Sequence, residues 1–174
     1  MSQNDVDDHG RPRPPAAAPE RDMLEAFLDF HRATLLWKLS GLSDEELRRP
    51  GTPSGVSLLG LVKHLADVEQ SWFVEVFAGE APEFPLWRDD DPGATWRIEP
   101  DESTEHILDI YRRVCERCRD IVAGAATEDV VGAPRPGAEH MTLRWVLVHM
   151  IEETARHNGH ADIIREAIDG AVGE

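Results

Sequence analysis

The segment with the strongest constraint on this chain is its last helical one. Over residues 142–169, Val146, Met150 and Ile164 mark an apolar helical stripe, and Glu153 and His157 fall on the same stripe, four residues apart. His149 and His160 extend it, so that four polar side chains lie within roughly a quarter of the helix circumference. Polar groups turned toward a core need partners, and a divalent metal accepts imidazole and carboxylate together. The pattern predicts a helix buried on one face in a bundle, with a metal site on that face.

Three further segments show the helical period, at roughly 21–40, 57–79 and 102–124, and no strand pattern competes. Leu24, Leu28, His31, Leu35 and Leu39 form the stripe of the first, and Ile107, Tyr111, Val114, Cys118 and Ile121 that of the third. Ser57, Ser103 and Thr142 are placed to cap helix N-termini, while Gly41, Gly79, Gly124 and Gly170 follow the periodic runs. The expected fold is all-α, a four-helix bundle with long inter-helix connections.

Residues 1–20, rich in Pro, Ala, Asp and Arg, have no apolar period and are expected to form a disordered tail, with a single domain over 21–174. A chain of 174 residues buries a core without needing a structural metal, so an ion here is expected to serve function. The formal charge of −16 argues against nucleic acid or an anionic membrane as the main partner. No apolar run approaches a membrane span and no secretory leader is evident, which predicts a cytoplasmic protein. Cys115 and Cys118 read as two reduced helix cysteines, since no second pair completes a zinc site.

On the second helix, Ser57, Leu61, His64, Val68 and Trp72 share one face, which turns His64 inward. His31, a lone histidine on an apolar stripe, reads as a core residue. Bundles build metal sites from facing helices, and His64 with Glu153 and His157 would make such a set. Three protein ligands leave positions open for water or substrate, the condition for catalysis. Two imidazoles and a carboxylate suit zinc, iron, nickel or cobalt, with zinc the first expectation. His160 could replace Glu153 as a ligand, support a ligand from behind, line the pocket or act as a base. Glu153 could also be a helix-face carboxylate paired with Arg156 or His157 and no metal. The connection over 80–101, acidic and carrying Trp87 and Trp96, is expected either to be a solvated loop over a core edge or to cover the pocket.

The segments GVSLLGLVKHLADVEQSWF and TLRWVLVHMIEETARHNGHADIIREAIDG resemble the DinB-like superfamily of metal-binding four-helix bundles, over about residues 20 to 170. Many members carry HxxxH on the last helix. This chain has Glu153 and His157 there, as in the branch of mycothiol-dependent maleylpyruvate isomerases. The resemblance implies His64, Glu153 and His157 as the metal ligands, and a low-molecular-weight thiol, mycothiol or bacillithiol, as cosubstrate in an S-transferase or isomerase reaction with a small electrophile. With Cys115 and Cys118 outside the metal segments, the thiol would come from that small molecule. The competing expectation is a non-catalytic, stress-associated bundle that binds a metal or small ligand. A homodimer is compatible with either.

Overall fold

A computed structural model describes residues 6–133, 136 and 138–173. The architecture is all-α: α1 (Glu20–Leu39), a short α2 (Asp44–Arg48), α3 (Leu58–Glu69), α4 (Thr104–Ala123) and α5 (Leu143–Asp169). Helix α3 continues without a break into a π-helical segment, Gln70–Phe77. Among the described residues no helix is long and apolar enough to cross a membrane.

The expected caps form. Ser57 Oγ accepts from Gly60 N at 3.1 Å, Ser103 Oγ from His106 N at 3.1 Å, and Thr142 Oγ1 from Trp145 N at 3.4 Å. Each satisfies one N–H that the helix itself leaves unpaired. Gly41 and Gly79, with φ of 80° and 69°, turn the chain away after α1 and after the π-helical segment. Helix α2 lies in a stretch read from the sequence as a connection. A reciprocal capping box between Ser43 and Glu46 starts it, and Leu47 anchors it to the core.

Helix α1 packs chiefly on α5, and α3 on α4, with α3 also meeting α5. The apolar stripes supply the core between them: Leu28 and Leu35 from α1, Leu61 and Leu65 from α3, Ile107, Tyr111 and Cys118 from α4, and Val146, Met150 and Ile164 from α5. One ion pair is sealed inside this core. Arg32 donates from Nε and Nη2 to the two carboxylate oxygens of Glu69, at 2.7 and 2.6 Å, and the residues are 5% and 0% exposed. Cys115 and Cys118 are buried and unbridged, and burial pushes the Cys115 thiol up to about 12.

Residues 1–5 of the expected tail lie outside the described residues. From Val6 onward the chain makes a small turn closed by a bridge between Val6 and Pro12, which docks on α1 through Arg11. The Arg11 guanidinium lies against the rings of Phe30 and Trp37, at 4.9 and 4.6 Å from their centroids, and bonds Asp7 and Thr34.

The connection from Ala78 to Ser103 has no regular structure but is pinned at several points. The Lys63 ammonium donates to the Arg97 carbonyl at 2.9 Å and to Glu102 at 2.8 Å, Arg48 donates to the Glu102 carbonyl at 2.7 Å, and the Gln70 amide donates to the Phe84 carbonyl. Gly60 is what lets the loop lie this close to α3. A Cβ at that position would collide with the Trp96 carbonyl oxygen.

Candidate metal centre and adjoining cavity

Helices α3 and α5 carry His64 and the Glu153–His157 pair to the same place. One donor atom from each of the three residues lies within 4.8 Å of the other two. Donors bound to one ion at about 2.1 Å are at most about 4.2 Å apart, and about 3.4 Å apart in a tetrahedral set, so side-chain closure of up to about 1.4 Å would bring the three to tetrahedral spacing. Part of the set is already at that spacing, since His157 Nε2 and Glu153 Oε1 are 3.2 Å apart. The donor chemistry, two imidazoles and one carboxylate, fits a borderline divalent cation.

Each imidazole is held by a neighbour outside this set. His64 lies flat against Trp96, with ring centroids 3.6 Å apart and planes 16° from parallel, and its Nδ1 is 3.5 Å from Thr95 Oγ1. Nδ1 of His157 is 3.2 Å from Nδ1 of His160. Burial pushes the His64 pKa down to about 3, with a further lowering from His157. Burial likewise lowers His157, against an opposing pull from Glu153. Both rings are therefore neutral at neutral pH, the protonation state in which imidazole binds a metal.

The other residues singled out in the sequence are placed differently. His149 is turned away from the three donors and stacks on Trp145 with centroids 4.9 Å apart, while meeting Trp72 edge-on at 4.6 Å. His160 is exposed apart from its contact with His157. His31 is half-buried in α1, and its carbonyl accepts from the Asn158 amide of α5 at 3.0 Å. Arg156, a candidate partner for Glu153, pairs with Glu152 instead.

Beside His64 opens a cavity of about 480 Å³ lined by His64, Asp67, Val68, Ser71, Trp72, Glu75 and Trp87. Six of these seven recur at helical spacing along α3 and the π-helical segment, so the cavity floor is a single helix face. Trp87 comes from the loop over 80–101 and stands 53% exposed at the rim. Both tryptophans of that loop thus face the site, one against His64 and one at the cavity mouth. Asp67, Ser71 and Glu75 escaped the sequence reading, although they continue the stripe that contains His64. The Trp96 contact had no sequence signal beyond two tryptophans in an acidic loop.

With this geometry in place, comparison with known families is decisive. Residues 23–170 match the family model described as mycothiol-S-transferase. The chain belongs to the mycothiol-S-transferase family. This family lies within the DinB-like superfamily. The match spans α1 through α5 and so includes every residue of the metal-type cluster and of the cavity. Membership in the mycothiol-S-transferase family indicates a transferase related to mycothiol, with a small thiol as substrate. Comparison with curated proteins gave no match.

Proposed function

We propose that this chain is a divalent-metal-dependent S-transferase in which His64, Glu153 and His157 hold the ion and mycothiol or a similar small thiol is the sulfur donor. The observation that carries the reading is the convergence of three ligand-type donors within 4.8 Å, from two different helices, at the edge of a cavity of about 480 Å³. A divalent ion bound there supplies charge that lowers the pKa of a thiol, making thiolate available at neutral pH.

The protein's own residues do the rest. Burial keeps His64 and His157 neutral, so that protons do not compete for the donor nitrogens near pH 7. His160 holds the ring orientation of His157 through its Nδ1 contact, a positioning role. Trp96 covers one face of His64 and keeps water from it. The nucleophile comes from outside the chain, because Cys115 is buried in the core with its thiol raised to about 12. In transfer, the sulfur forms a bond to an electrophilic carbon, the leaving group departs with its electron pair, and the thiol proton passes to solvent.

The test is elemental analysis after chelation and reloading with zinc, nickel, iron or cobalt, combined with a thiol-consumption assay against a panel of electrophiles. The expected result is about one ion per chain in the wild type, with His64→Ala losing it and His31→Ala retaining it. Cobalt-substituted protein should develop thiolate-to-metal absorption when mycothiol is added. A protein that cannot be loaded with any of the four metals sinks the metal assignment. A loaded protein with no thiol signal, and no conjugation above that of His157→Ala, sinks the transferase.

A further inference from the structure

The cavity next to the three donors has a composition of its own. Two carboxylates, Asp67 and Glu75, and two indole rings, Trp72 and Trp87, line it, and no lysine or arginine is among its lining residues. The arginines of the adjoining loop are committed elsewhere, Arg88 to Asp90 at 3.0 Å and Arg97 to Asp91 and Glu99 at 2.7 Å. The Trp87 indole N–H donates to a third carboxylate, Asp89, at 3.1 Å. Trp72 is backed by the His149 and Trp145 rings, which hold its plane as a wall. From these observations, and resting on the transferase reading above for its role in turnover, we propose that the cavity receives the positively charged group of the second substrate, an amine- or quaternary-ammonium-bearing electrophile.

The physical case has two parts. Aromatic faces attract cations through the ring quadrupole, and two indoles around a concave site reinforce the attraction. Carboxylates that share one cavity wall repel, and a cation bound beside them relieves that repulsion. At Asp67, burial and then the charge of Glu75 raise the carboxyl to about 6, against hydrogen bonds from the Gln70 side chain and the Trp87 backbone that pull it down. An anionic electrophile, by contrast, would meet only like charge on the cavity wall. Nor does the metal centre reverse this preference, since the Glu153 carboxylate and a thiolate together offset the two charges of a divalent ion.

The test measures binding and is independent of turnover. Benzyltrimethylammonium, benzyl alcohol and benzoate share a ring and differ in charge. Each is titrated by tryptophan fluorescence and calorimetry into chelator-treated protein and into zinc-loaded protein. The cation is expected to bind about tenfold more tightly than the alcohol, with benzoate weakest, and the preference should fall as salt is raised. Asp67→Asn with Glu75→Gln should remove the preference, and Trp72→Leu should weaken cation binding severalfold, with circular dichroism verifying the fold of each variant. Equal binding of cation and alcohol, tighter binding of benzoate, or an unchanged preference in the double carboxamide variant overturns the proposal. His157→Ala, outside the cavity lining, separates the two readings: cation preference retained in a variant that no longer takes up metal supports the cavity's assignment independently of the metal centre, and preference lost there overturns it. Wild-type protein that binds the cation and takes up no metal sinks the proposed function while the charge preference of the cavity stands.

Discussion

Replacing His160 with alanine is the sharpest probe of how the candidate centre is organised. Among the described residues it meets the cluster through Nδ1, 3.2 Å from Nδ1 of His157, on the side of the ring away from Glu153. Neighbours that orient a ligating imidazole are worth about 10- to 100-fold in metal affinity. His160 is exposed, so water takes over part of the contact once the ring is gone, which puts the effect at the lower end. The expected loss is about tenfold, or about 1.4 kcal/mol. His160→Gln, which keeps a polar group within reach of His157, should recover most of it. The assay is competition for zinc against a chromophoric chelator, with the cobalt spectrum recorded in parallel. His64→Ala should be far worse, and His149→Ala, which removes a ring stacked on Trp145, should change little. If His160→Ala matches His64→Ala, or changes the shape of the cobalt spectrum, His160 is a ligand and the reasoning fails. A loss below about twofold would make the contact incidental.

Other outcomes follow from the surrounding structure. Glu69→Ala leaves the Arg32 guanidinium buried without its carboxylate and should cost about 3–5 kcal/mol in urea denaturation, whereas Arg32→Met with Glu69→Leu should cost much less; equal losses would refute the desolvation argument. Because the folded His64 pKa is depressed, the unfolded chain binds the proton first as pH falls below about 6.5, and metal-free protein should lose roughly 1 kcal/mol from this residue by pH 5.5; His64→Gln should flatten that part of the pH profile. Gly60→Ala forces the Trp96 backbone off α3, so it should increase proteolysis within residues 80–101 and weaken metal binding, and an unchanged digestion pattern would refute the close-approach argument.

Much of this architecture was legible because the helices are long and their stripes regular. The four periodic segments, with Ser57, Ser103 and Thr142 as caps, correspond to α1, α3 with its π-helical extension, α4 and α5. Helix α2 is too short for a period to register, though its Ser43–Glu46 capping box was present in the sequence. The change from α to π winding at Gln70 has no signature in the apolar pattern, which runs on through Phe73 and Phe77. For the site, spacing sufficed to put His64, Glu153 and His157 on inward faces. It could not separate His149 from His160, because both fall near the same stripe and only the neighbouring rings decide where each points. Nor could it place Thr95 or Trp96 on His64, since a loop contact depends on where Lys63 and Gly60 allow the backbone to rest. Arg11 is a similar case: in a segment without apolar period, its hold on α1 comes from one side chain lying on two aromatic rings.

The division of the donors between α3 and α5 has a consequence for how such a protein would acquire an ion during synthesis. As the chain leaves the ribosome, His64 emerges long before Glu153 and His157, and on its own it offers a single imidazole, too weak to capture a metal. Even the complete last helix presents only a neighbouring pair, in a segment that holds its helical form through packing. The proposed set would be complete only once α3 and α5 have docked, after the core around Leu61, Leu65 and Met150 has closed. Selection among competing cations would then be made by a finished cage instead of by whichever ion first meets a nascent thiol or imidazole, and translation itself would proceed without a metal requirement.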